Sequence, residues 1–272
     1  MTSFQLPKAA SQGFQKAAAY DTHRPSYPQE AVTSFLSALG LLGKRNAKVL
    51  EIAAGTGKFT ELLANRDEEF KVIAVEPHGD MRAQLKGKGL KGVDVRDGHA
   101  GKLPVEEQEW ADGYIAAQSF HWFANEETLR EAHRVLKNGA GLGAIWNIED
   151  YNKPRSWKAV TEWEEKLNSW IYSISSDGQP RFRDDQWRGA FENQELFTLP
   201  LSEKTVKWTV WLTGEALWSR INTLSQVAVL EGPDREAAVK VFKEALQSPD
   251  VERNESGEIA LHGVTYFVWT KK

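Results

Sequence analysis

The segment Val49-Leu50-Glu51-Ile52-Ala53-Ala54-Gly55-Thr56-Gly57-Lys58-Phe59-Thr60, followed by Val72-Ile73-Ala74-Val75-Glu76-Pro77, restricts the fold of this chain more than any other feature. An apolar run ends near an acid and opens into a turn of small residues. A second apolar run closes on another acid, Glu76, nineteen positions after Gly57. That spacing belongs to a strand–turn–helix–strand unit whose turn takes a nucleoside-containing cofactor and whose second acid meets the ribose. The plainer alternative is that Glu51 and Glu76 merely end two strands and the glycines merely turn the chain. Having both halves in register weighs against it.

Two cofactor classes use this geometry. A dinucleotide would need Gly55-x-Gly57-x-x-Thr60, with threonine where close helix packing favours glycine or alanine. The sulfonium nucleoside S-adenosylmethionine would need acid-x-Gly-x-Gly-x-Gly, met here by Glu51, Ala53, Gly55 and Gly57. A pyrophosphate is drawn to a helix N-terminus, where Glu51 would oppose it. The sulfonium and ammonium of S-adenosylmethionine are attracted to the same carboxylate, so Glu51 favours that cofactor. In either case Glu76 can accept hydrogen bonds from both ribose hydroxyls.

Further segments extend the pattern: Tyr20-x-x-x-Arg24-Pro25-x-Tyr27-Pro28, Leu103-Pro104, Gln118-Ser119-Phe120-His121-Trp122-Phe123, and Glu131-x-His133-Arg134-Val135-Leu136-Lys137-x-Gly139. With these, residues from about 14 to 150 resemble a class I S-adenosylmethionine-dependent methyltransferase. More narrowly they are similar to the small-molecule branch that holds trans-aconitate-type and fungal methyltransferases. The resemblance implies an α/β, Rossmann-like fold: a seven-stranded, mostly parallel sheet with helices on both faces and a helical insertion or lid in the C-terminal half. It implies cofactor contacts from Glu51, Ala53, Gly55, Gly57, Glu76, Pro77, His99, Ala100 and Gln118. Tyr20, Arg24, Tyr27, His121, Trp122 and Trp146 would border the substrate. Three positions depart from the family: Ala53 replaces its first glycine, Ala140 a glycine after the Arg-Val-Leu-Lys helix, and Gly101 the acid usual before Leu-Pro. A methyl at Ala53 would crowd a cofactor that needs close backbone approach.

The formal charge of −4 supplies no basic field for nucleic acid. No run of eighteen apolar residues offers a membrane span. The N-terminus lacks an apolar signal core, so a cytoplasmic location is the default expectation. With no cysteine there is no thiol nucleophile, disulfide framework or thiolate metal site, and no His-x-x-x-His pair suggests a metal. A small-molecule substrate and a monomer or homodimer are expected.

Period and punctuation map the rest. A helix over 28–41 opens at Pro28. Strands are expected at 47–53, 71–76, 92–96, 111–117 and 140–147, with helices at 57–66, 79–87 and 124–137, the last capped near Asn125. Alternation of this kind gives a mostly parallel sheet whose ligands sit beyond the strands' carboxyl ends. After residue 150 the register changes. Val160, Trp163, Leu167 and Trp170 recur at helical spacing within 155–175. A strand follows at 203–212, helices at 214–227 and 233–246, and a closing strand at 264–269. One domain is expected: residues 1–45 as N-terminal lid and first helix, 46–150 as cofactor-binding core, and 151–272 as helical insertion and last strands.

His121, just past the fourth expected strand, can orient a substrate oxygen or act as a general base, or it can simply pack under a lid. Arg24 suits a bidentate grip on a substrate carboxylate, or a surface turn. Glu149 and Asp150 read as a solvated strand end. Nine of the eleven tryptophans lie at or beyond Trp146, and two or three of them are expected to touch substrate. The leading expectation is methyl transfer from S-adenosylmethionine to a small organic acceptor, at a carboxylate or hydroxyl oxygen. A non-methylating S-adenosylmethionine-binding regulator or enzyme on the same fold is the alternative, and an NAD-dependent oxidoreductase ranks third.

Overall fold

The computed structural model describes residues 26–174 and 178–272. Helix α1 (Gln29–Ala38) follows Pro28 and leads to β1 (Lys48–Ile52), α2 (Lys58–Ala64), β2 (Lys71–Val75), α3 (Gly79–Gly87) and β3 (Val93–Arg96). Then come β4 (Ala111–Ala117), α4 (Glu126–Val135) and β5 (Leu136–Glu149). The C-terminal part contributes α5 (Glu162–Ser173), β6 (Ser202–Leu212), α6 (Gly214–Ile221), α7 (Ser225–Ala228), α8 (Gly232–Ala245) and β7 (Ile259–Lys271).

Seven strands form one sheet in the order β3-β2-β1-β4-β5-β7-β6. Pairings from β3 through β5 are parallel, and β7 runs antiparallel to both β5 and β6. The chain reverses its direction of travel across the sheet between β1 and β4, which is where a crevice opens beyond the carboxyl ends of strands in such sheets.

Alternation along the strands explains the two covered faces. Val49, Ile115, Ile145 and Phe267 point to α1 and α2, where Phe35, Leu36, Phe59 and Leu63 are buried. Leu50, Ile52, Tyr114, Ala116 and Trp146 point the other way, to Leu129, Ala132 and Val135 of α4. Each such large apolar side chain contributes about 1.5–3 kcal/mol on burial. Helix α1 can lie close on β5 because Gly143 has no side chain: a Cβ there would stand 2.6 Å from the Phe35 ring. A third cluster joins α5, α6 and α8 to Ile259 and Leu261 of β7.

Asn125 caps α4 as expected, its side chain accepting from Thr128 N at 2.9 Å. Three expectations are corrected. Strand β5 begins at Leu136 rather than 140, because Leu136 already pairs with Ala111 before a register shift, and Gly139 N donates to the Lys272 carbonyl. Helix α5 starts only at Glu162, after Thr161, whose hydroxyl accepts from Glu164 N. Val160 therefore precedes the helix and is 63% exposed, while Trp163 and Leu167 are fully buried. Finally, Glu149 and Asp150 are buried instead of solvated. Helix α6 brings Arg220 to within 2.9 Å of Glu149, and Asp150 accepts from Val160 N at 2.7 Å.

Candidate active site

The turn between β1 and α2 carries positive φ at Ala53 (52°), Gly55 (59°) and Gly57 (91°). Glycine takes such angles without strain, whereas alanine does not. At Gly57 space is also short, since a Cβ would come within 2.3 Å of Leu85. The turn is tied to the end of β2. Ala54 N donates to the Val75 carbonyl at 3.1 Å, and Gly55 N to Glu76 Oε2 at 2.8 Å. The other Glu76 oxygen accepts from His78 N at 2.7 Å.

Glu76 is 4% exposed, and burial raises its carboxyl above the usual range while the His78 and Gly55 amides pull it down. Each oxygen accepts one backbone bond and retains a second lone pair for a ligand hydroxyl. Arg82, on α3, donates to the carbonyls of Glu76 and Pro77 at 2.7 and 3.0 Å and pairs with Asp97. It fixes the backbone around the acid. Sequence reasoning passed over Arg82, although its place in the first turn of the helix that follows the acid was visible.

Glu51 lies on the α2 side of β1 and is 1% exposed. Burial pushes its carboxyl up to about 8; the neighbouring Thr60 hydroxyl opposes the rise, and the Glu76 charge adds to it. The Thr60 hydroxyl faces the carboxyl that it pulls down, yet Glu51 Oε2 and Thr60 Oγ1, both buried, make no hydrogen bond of good geometry. A buried acid so placed is expensive unless something pairs with it. A ligand ammonium would pair with it and favour its ionised form, whereas a pyrophosphate would gain nothing from ionising it. This orphaned oxygen, together with the lone pair left on each Glu76 oxygen, fits S-adenosylmethionine.

The segment after β4 converges on the same end of the sheet. Ser119 Oγ donates to the Ile52 carbonyl at 3.3 Å, directly before Ala53. Gln118, at φ 59°, donates from its backbone to Ile145 O and from its amide to Asn147 O. Asn147 also accepts from Thr265 Oγ1 at 2.6 Å and donates to Ser26 O at 3.1 Å, so it links three strands to the entry of α1. Neither Ser119 nor Asn147 was singled out by the sequence for a role.

His121 and the half-buried Trp122 belong to the 3-10 turn Phe120–Trp122. The Trp146 indole N–H donates to His121 Nδ1 at 3.2 Å. Trp146 has no exposed surface and packs at tilted angles against Trp187, Phe182 and Tyr266. It therefore reaches the crevice through His121 rather than by its own face. Tyr27 is 7% exposed and packs edge-on against Phe59 at 5.1 Å, behind the turn. Tyr20 and Arg24 lie outside the described residues.

His99 and the buried Ala100 follow β3, in a segment held by two family motifs in mutual contact. Leu103 N donates to Glu131 Oε2 at 3.0 Å, and Arg134 Nη2 to the Val105 carbonyl at 2.9 Å. Arg134 also pairs with Glu131 at 2.8 Å.

Residues 50–142 match the family model described as "Methyltransferase domain". An uncharacterized methyltransferase-like protein of Schizosaccharomyces pombe is 32% identical over 218 residues, spanning 80% of this chain and 78% of its own. Among solved structures, a candidate type II methyltransferase from Anaeromyxobacter dehalogenans matches with a TM-score of 0.63 and 18% identity, covering 91% of this chain and 97% of that one. Phosphoethanolamine N-methyltransferase 2 of Haemonchus contortus, solved with S-adenosyl-L-methionine, matches with a TM-score of 0.52 and 13% identity over 98% of this chain and 60% of that one. At these identities the structures share the fold, and the sequence relatives carry the family. The chain belongs to the class I S-adenosylmethionine-dependent methyltransferases.

Proposed function

We propose that the chain moves the methyl group of S-adenosylmethionine to an oxygen of a small organic acceptor, with a carboxylate the best single assignment. One observation carries the cofactor half of the reading. The two acids that end β1 and β2 differ in their bonding: Glu51 keeps an unpartnered buried oxygen, suited to an ammonium, while Glu76 is already oriented by two backbone amides, suited to a ribose diol.

The acceptor half rests on His121. An indole nitrogen only donates, so its bond makes His121 Nδ1 an acceptor and puts the proton of the neutral ring on Nε2. A ring in that form donates to a substrate oxygen and does not remove a proton through Nε2. A carboxylate is already ionised at neutral pH and needs no base. When bound, the cofactor supplies a methyl activated by its sulfonium, so aligning the nucleophile with it yields much of the acceleration. Trp122 and the N-terminal segment with Tyr20 and Arg24 would enclose the acceptor. The net charge of −4 favours a small molecule over nucleic acid, and a cytoplasmic monomer or homodimer is consistent with this reading.

The test combines calorimetry and mass spectrometry. S-adenosylhomocysteine should bind, and Glu76→Ala should weaken it about tenfold or more, the loss of a charged hydrogen-bond partner. Equal affinities would remove the ribose assignment. Small acids, phenols and amines incubated with S-adenosylmethionine should give a product heavier by one methylene among the acids. Tight cofactor binding with no product from any acceptor would favour the non-methylating alternative.

A further inference from the structure

We propose that α5 is latched to the sheet by a proton held between Glu164 and His262, and that the latch loosens as rising pH removes the proton. Strand β7 pairs with β5 as far as Gly263, which stands opposite Glu149. The first residues of β7 therefore run past the carboxyl end of β5, at the same end of the sheet as the crevice. There Glu164, from the first turn of α5, supplies the acceptor that a neighbouring strand would have supplied: its Oε1 accepts from His262 N at 2.7 Å. Its Oε2 lies 3.1 Å from His262 Nδ1 and accepts from the Thr161 hydroxyl at 2.6 Å. The Glu164 side chain has no exposed surface, while His262 keeps 13% of its side chain in solvent, which gives the proton a way in and out.

The charges around this contact do not balance without that proton. Asp150, from the turn after β5, faces both Glu164 and His262, and Lys153 and Glu165 face Asp150. Lys153, itself buried, is bonded to Glu165 at 2.9 Å. Glu149, next to Asp150, is matched by Arg220 at 2.9 Å, and Asp250 accepts from Glu162 N at the start of α5. That leaves two buried carboxylates, Glu164 and Asp150, opposite one imidazole. With His262 neutral and both acids ionised, they would share the attraction of a single lysine already engaged elsewhere, an expensive arrangement away from water. One proton on the Glu164–His262 pair relieves it, either as a carboxylic acid beside a neutral ring or as a carboxylate beside an imidazolium.

The direction of the pH response follows. Burial raises the Glu164 carboxyl to about 7; the Thr161 hydroxyl and His262 oppose the rise, and the Asp150 charge adds to it. Burial raises Asp150 as well, against its bond from Val160 N. A folded-state carboxyl lifted above 4.5 stabilises the docked helix fully below that value and progressively less up to about pH 7. Trp163, Leu167 and Ile171 hold α5 in the third apolar cluster throughout, so pH changes how often the helix opens and not where it rests. The latch neither requires nor excludes methyl transfer, so the two readings stand or fall separately.

The test is backbone hydrogen exchange of the full chain from pH 5 to pH 8, corrected for the intrinsic pH dependence of exchange. The opening constant of the α5 amides should rise with pH by up to about tenfold per unit, the limit for one proton, and level off above about 7. Glu164→Gln keeps an acceptor for His262 N but holds no titratable proton, so its α5 amides should respond far less to pH and at pH 8 stay closed more than those of the parent. Carbon NMR of labelled glutamate gives a reading that needs no variant: the Glu164 carboxyl should titrate near 7. An α5 opening constant that does not change between pH 5 and 7, an equal response in Glu164→Gln, a Glu164 carboxyl that titrates near 4.5, or α5 amides that exchange no faster than those of β1 would each overturn the proposal.

Discussion

The Trp146 indole N–H donates to His121 Nδ1 across 3.2 Å, joining the fully buried middle of β5 to the turn that follows β4. Since indole cannot accept, the bond selects one tautomer of the neutral imidazole and fixes the ring's orientation. A residue with no exposed surface thereby sets which nitrogen of His121 accepts and which carries the proton of the neutral ring.

Trp146→Phe keeps an aromatic ring in the cluster with Trp187 and Phe182 but deletes the donor. Nitrogen NMR of the labelled histidines should show the Nε2–H form of His121 in the parent and a mixture of tautomers in the variant. The smaller ring should also cost about 2 kcal/mol in denaturant unfolding. An unchanged tautomer would mean that Trp146 does not control His121.

Glu51 gives a pH signature. Its carboxyl is held at about 8 by burial, so the free protein carries it protonated at neutral pH. Pairing with a ligand ammonium favours the ionised form, so binding of S-adenosylhomocysteine should release about one proton near pH 7 and tighten as pH rises from 6 toward 8. Calorimetry in buffers of different ionisation enthalpy measures that proton directly. The stability effect has the opposite sense: a folded-state carboxyl raised above its unfolded value of 4.5 stabilises the folded chain less as pH climbs from about 4.5 to 8. Glu51→Gln should flatten both curves, and at pH 8 it should unfold at a higher temperature than the parent when no ligand is present.

These acids mark what was legible in the sequence. Spacing alone placed Glu51, Gly55 and Gly57 at the first bend and Glu76 at the end of the second strand, because strand and helix periods fix where a β–α–β unit must bend. Period could not say that Gly55 N and His78 N would saturate one lone pair on each Glu76 oxygen while Glu51 Oε2 kept no hydrogen bond of good geometry. That difference depends on which way each side chain leaves its strand. The reading of Glu149 as solvated failed for a similar reason. Its partner Arg220 is 71 residues away, and no local pattern foretells such a pairing. Val160 matched the helical stripe, but the Thr161 hydroxyl caps α5 after it, and a cap outranks a period at a helix end.

Ala53 holds φ at 52°, where a glycine would be unstrained. Left-handed backbone costs a non-glycine residue about 1–2 kcal/mol, and glycine's extra freedom in the unfolded chain returns roughly half of that. Ala53→Gly should therefore stabilise the protein by about 0.5 kcal/mol, read from denaturant midpoints. If the Ala53 methyl crowds the cofactor, S-adenosylhomocysteine should bind more tightly in the same variant; unchanged affinity would place the methyl clear of the ligand.

Asp112, near the start of β4, governs acid stability. Burial works to raise its carboxyl, but hydrogen bonds from Lys137 at 2.8 Å, Lys44 at 2.7 Å and Lys48 N at 2.8 Å bring it down to about 2. A folded-state value below the unfolded 3.8 gives stability that is complete above about pH 4 and lost as pH falls through 2. The lysine side chains are about half exposed, 51% for Lys44 and 45% for Lys137, so solvent screening reduces the contribution to about 1 kcal/mol. Asp112→Asn should lower the unfolding free energy by about that amount at pH 7, and the gap should close as the pH approaches 2. Salt should narrow it too, because both ammonium groups reach solvent. A gap that persisted undiminished at pH 2 would show that the Lys48 amide bond, rather than charge, is what Asp112 contributes.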